Sequence, residues 1–188
     1  MKTVRVQKER HYTAHHAFHD IAYTALKNAE MPKNQQRHQP LVCMIFCGLT
    51  LEAVANAFGE RLVENWDDFE NASPIVKLRT IFSTIGVSWN GKQEPFATVI
   101  WLVRFRNKVA HAKPESIRTD AMMTDLEFRA RQYDPPVSKL ESHVSLENAQ
   151  RAMKQVHALM RLLIDNTPPE KWHGLVADGY TASAKSIS

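Results

Sequence analysis

The stretch Trp101 to Ala112 holds the side chains best suited to chemistry: Arg104, Arg106, Asn107, Lys108 and His111. Imidazole exchanges protons near neutral pH. A guanidinium matches phosphate oxygens two at a time. At about 100° per residue, Val99, Leu102, Val103, Phe105, Val109 and Ala110 make an apolar arc on a helix. Arg106 falls in the middle of that arc. Asn107, His111 and Arg104 share the neighbouring polar edge, with Asn107 and His111 one turn apart. A guanidinium in a core-facing stripe is costly unless something pairs with it. Arg106 is therefore either a charged anchor of the fold or a group presented at an interface.

The expected partner is Glu52, the only charge between Leu41 and Gly59. Two buried charges of opposite sign should meet. Two readings follow: an ion pair that fixes helix register, or a carboxylate that orients Arg106 toward a bound phosphate. Arg106 and His111 are five residues apart, about 140° of helical rotation, so they do not share a face. A two-fold dimer packing this helix on its copy would bring both into one cleft. His111 lies in the last helical turn, where the helix dipole favours a cation.

The run Leu102-Val-Arg-Phe-Arg-Asn-Lys-Val-Ala-His-Ala112 resembles the motif of the HEPN domain family, an arginine followed four to six residues later by a histidine. Leu49-Thr-Leu-Glu-Ala-Val-Ala-Asn56 is similar to that family's second-helix pattern, in which a Glu faces the motif. The resemblance implies a helical homodimer with its motifs facing each other. It also implies a metal-independent endoribonuclease of toxin–antitoxin or phage-defence type, with RNA as substrate, an antitoxin protein as a possible partner and no cofactor. By that likeness His111 is the general acid/base, and Arg106 stabilises the charge on the phosphorane oxygens. Asn107 positions His111 or the phosphate, Glu52 supports Arg106, and Arg104 and Lys108 attract the backbone. The product would carry a 2′,3′-cyclic phosphate. Members paired with nucleotidyltransferase antitoxins often carry Tyr two residues after the His; here that position is Lys113.

The elements that must position these groups are helical. With 188 residues, 44% hydrophobic and 23% charged, the chain is expected to be one soluble cytoplasmic domain. Helices are expected over residues 9–29, 40–65, 74–85, 94–112 and 145–165, with Ser73 and Ser145 as N-caps. The fold class is therefore all-α: an up-and-down helical bundle of four main helices plus short helices. Residues 1–8 read as a flexible arm, 9–167 as the helical domain and 168–188 as an irregular tail. A long connection, 113–144, has a short helix or strand near Thr124 to Arg131. The net charge is +4. Five Lys/Arg against one Glu between Arg104 and Arg118 concentrate that excess at the motif. Cys43 and Cys47, four apart on a helix, are expected to be buried reduced thiols. The apolar run 41–59 is interrupted by Thr50, Glu52, Asn56 and two glycines, so it reads as a central core helix and no membrane partner is expected.

Two alternatives remain beside the nuclease. One is a non-catalytic dimeric interaction module, with Arg106–Glu52 structural and 113–144 binding a partner. The other is a metal-binding helical protein using His11, His15 and His19, spaced four apart on the first helix. No Cys or carboxylate cluster completes that set.

Overall fold

In the computed structural model, residues 4–31, 38–172, 175 and 179–186 are described, with only the backbone for residues 11, 179, 180 and 186. The protein is mostly helical. Its centre is α2 (His38–Leu62), which packs against α1 (Ala14–Glu30), α3 (Pro74–Thr84), α4 (Phe96–Ala110) and α6 (Leu146–Asn166). α2 is apolar nearly all round because it is surrounded. It is long and apolar enough to span a membrane by length and composition. Cys43, Met44, Cys47, Leu51, Val54 and Phe58 are buried along it, so the protein core uses that apolarity. Both thiols are free and buried. A hydrogen bond with Cys43, together with burial, pushes the Cys47 thiol well above its usual range.

Local sequence sets where the outer helices start. Ser73 Oγ accepts the Val76 N–H at 3.4 Å ahead of Pro74 in the first turn of α3. Ser145 Oγ accepts the Asn148 N–H at 3.1 Å at the start of α6. On α6, Ala149, Met153, Val156, Leu159 and Leu163 recur at helical spacing and are buried. Glu94 begins α4. Its carboxylate accepts the Thr98 backbone N–H at 3.1 Å and the Thr98 hydroxyl at 2.8 Å. It also accepts Arg151 Nη2 at 2.6 Å, tying α4 to α6. Burial opposes ionisation of Glu94, but these hydrogen bonds outweigh it and hold its carboxyl below the usual range.

The ends of the chain differ from expectation. Residues 1–8 were expected to form a loose arm, and 168–188 an irregular tail. Instead β1 (Val4–His11) pairs antiparallel with β2 (Gly179–Ser186), Val4 opposite Ser186 and His11 opposite Gly179. The first helix, expected from Glu9, begins at Ala14 after the buried Thr13. Val4 and Val6 alternate with Arg5 and Gln7, and Ala182 and Ala184 with Thr181, Ser183 and Lys185, but these runs are short, and every described side chain in the sheet is exposed. With no buried face, so short a period-two pattern of small or isolated apolar residues does not stand out as a strand. The pairing joins segments more than 160 residues apart.

Between α4 and α6, residues 113–137 are exposed throughout. They include α5 (Asp125–Arg131), started by a capping box of Thr124 and Glu127. Met122, Leu126, Phe128 and Tyr133 stand open to solvent.

Candidate functional site

The end of α4 divides into two surroundings. On one side Val99, Leu102, Val103 and Phe105 are buried, and Val109 is partly buried. Arg106 lies along this side, half-buried, with its Nη2 donating to Glu52 Oε2 of α2. The approach of the two helices is close. A Cβ at Gly48, one turn before Glu52, would sit 3.0 Å from Arg106 Cβ and 3.5 Å from the Leu102 carbonyl oxygen. Gly48 therefore admits the Arg106 stem, and Glu52 meets its head. The Arg106 Nε–H is buried without a hydrogen-bond partner, an arrangement that costs about 1–3 kcal/mol. Glu52 also lines a cavity of about 410 Å³ with Tyr12, Phe18, Asn56, Glu60 and Arg61.

On the other side, Asn107 and His111 line a separate cavity of about 690 Å³ at the C-terminal end of α4. Both side chains are exposed. His111 closes the helix, its backbone N–H donating to the Asn107 carbonyl at 3.0 Å. Arg104, Lys108, Lys113 and Lys139 line the same cavity, against one carboxylate, Glu115. Four cations around an imidazole and an amide form a surface that attracts a polyanion and can exchange protons with it.

The structure thus joins Arg106 with Glu52, and Asn107 with His111, Arg104 and Lys108. Within one chain, Arg106 does not line the cavity that holds His111. Ala110, expected on the apolar arc, is exposed. Sequence reasoning missed Lys139 as part of the cavity. It comes from the far end of the 113–144 connection, and no local pattern marks it. Lys113 was within reach, because it belongs to the basic excess between Arg104 and Arg118.

The histidines of the first helix separate. His11 ends β1, and its side chain lies outside the described residues. His15 is buried, its Nε2 3.0 Å from the Leu175 carbonyl oxygen. His19 faces α6 and meets His157 there. Among the described residues no group of three or more His, Cys, Asp or Glu is placed to hold a metal ion.

No family model matches the chain, and no curated protein or solved structure gives a significant match to it.

Proposed function

We propose that the protein is a HEPN-like, metal-independent endoribonuclease, acting as a toxin or phage-defence component in the cytoplasm. The observation that carries this reading is the basic cavity in which Asn107 and His111 sit one turn apart, bordered by four lysine and arginine side chains. His111 acts as the general acid/base on the 2′-hydroxyl or the leaving 5′-oxygen. Asn107 holds the imidazole or a phosphate oxygen. Arg104, Lys108, Lys113 and Lys139 draw in the RNA backbone. Arg106, held by Glu52, supplies transition-state charge stabilisation across a two-fold dimer of helical bundles, next to the partner subunit's His111. An antitoxin protein would be the natural antagonist.

The test is RNA cleavage in EDTA by wild type, His111→Ala and Arg106→Ala, with folding checked by circular dichroism and the dimer by sedimentation. The reading expects cleavage by wild type, 2′,3′-cyclic phosphate ends, and loss in both variants. A folded wild-type dimer that leaves several RNAs intact would overturn it. A second reading, a non-catalytic interaction module, is favoured by one observation: Met122, Leu126, Phe128 and Tyr133 are each exposed within 113–137. In that case Arg106–Glu52 is structural only.

A further inference from the structure

α1 and α6 are joined by a histidine pair that the proposed nuclease site does not use. His19 Nε2 lies 2.6 Å from His157 Nε2, with the ring centroids 4.8 Å apart. His19 is partly buried and His157 is exposed. Asp20 Oδ1 faces His19 Nδ1 at 3.7 Å. A carboxylate beside Nδ1 favours the proton there and leaves the Nε2 lone pair free. On that assignment His19 Nε2 accepts and His157 Nε2–H donates. Burial, then His19, then Arg161 one turn further along α6 lower the His157 pKa, so its neutral form is favoured.

Two imidazoles on different helices, with their Nε2 atoms converging, are also the donor type that borderline transition metals prefer. Two Zn–N bonds of ordinary length at a tetrahedral angle place the nitrogens about 3.3 Å apart. The pair therefore needs to open by less than an ångström, which side-chain torsions on two helices can supply. We propose that His19 and His157 form a two-point clamp for a divalent transition metal of the zinc class, fastening α1 to α6. Entry of the metal requires His157 to move its proton from Nε2 to Nδ1. Because His157 is exposed, solvent can carry that proton, and none is released overall. Water or an exogenous ligand fills the remaining positions, since no third protein ligand stands beside the pair among the described residues. The neighbouring groove of about 600 Å³ is lined by Lys154 and Arg161 as well as His157, so an anion suits an open position better than a second cation. The clamp is independent of the nuclease reading, which is tested in EDTA.

The experiment uses untagged full-length chain stripped of metal, with ZnCl2 as the probe. Calorimetry and thermal melting are followed for wild type, His19→Gln, His157→Gln and, as a control on α2, His38→Gln. The clamp predicts one zinc per chain and a zinc-dependent rise in melting temperature in wild type and His38→Gln. Each of His19→Gln and His157→Gln should lose affinity about tenfold or more, together with the thermal shift. Zinc affinity unchanged in a folded His157→Gln variant, or no stabilisation of wild type by zinc, would overturn the clamp.

Discussion

Arg106 and His111 stand five residues apart on one helix, and the protein treats them in opposite ways. Arg106 is folded into a helix contact: Gly48 clears space for its stem, Glu52 takes its head, and buried Leu102 and Phe105 flank it. His111 is at the helix end, exposed, in an open cavity walled by lysine and arginine. The first is a position where geometry is fixed by packing. The second is a position where solvent and a large anion can enter. A reaction that needs a rigid charge and a proton carrier free to exchange with its surroundings requires both kinds of place.

The contrast can be broken on activity first. With a ribonuclease at this site, His111→Ala should lower RNA cleavage by about 100-fold or more, while its melting temperature stays close to wild type because the side chain is exposed. Arg106→Ala should also abolish cleavage, but at a cost in stability of about 1–2 kcal/mol. That lies between a surface pair and a fully buried one, because Glu52 is screened by solvent. Urea denaturation of both variants separates the two roles. Equal stability losses would show that the division of α4 is not real.

A second break acts on the Arg106 side alone. Gly48→Val puts methyl groups where Arg106 Cβ already lies at contact distance. It should destabilise by about 1–3 kcal/mol through overpacking, and it should move Arg106 away from Glu52. On the ribonuclease proposal, binding of RNA in the His111 cavity should suffer less than cleavage does. A filter-binding assay beside the melting curve would read both.

If the His111 cavity takes RNA as proposed, Lys139→Glu should weaken that binding across all sequences. It should also reduce the slope of log affinity against log salt by about one or more, with little change in stability. An unaltered salt dependence would remove Lys139 from the interface.

Two smaller effects calibrate the rest of the core. Glu94→Gln removes the charge that caps α4 and meets Arg151. Given its exposure, the loss should be about 1 kcal/mol or less. The Glu94 carboxyl is held below its usual range. Its contribution is therefore present above the unfolded carboxylate pKa and is lost as pH falls through the lower folded value. His157 has the same sign. Its folded pKa lies below the ordinary value of 6.5, so its contribution is present above about 6.5 and fades as pH falls through the folded value. Guanidinium titrations across that window should show a slope that His157→Gln flattens.

The chain itself carries much of this arrangement. Serine at 73 and 145 marks helix starts, because a hydroxyl can accept an orphan N–H. The all-round apolarity of residues 41–59 identifies the central helix, since only a surrounded helix can be apolar on every side. A lone Glu52 and a lone Arg106 in apolar arcs foretell each other, because burial without a partner is too costly. These signals are local, or follow from a simple energetic demand. The rest had to wait for the fold. The β1–β2 sheet has no buried face to strengthen its brief alternation, and it pairs residues 4–11 with 179–186, which no local pattern announces. Lys139 reaches the His111 cavity only because the 113–144 connection returns to α4. The meeting of His19 with His157 depends on how α1 and α6 lie together, and a histidine's spacing along its own helix says nothing about what faces it from another.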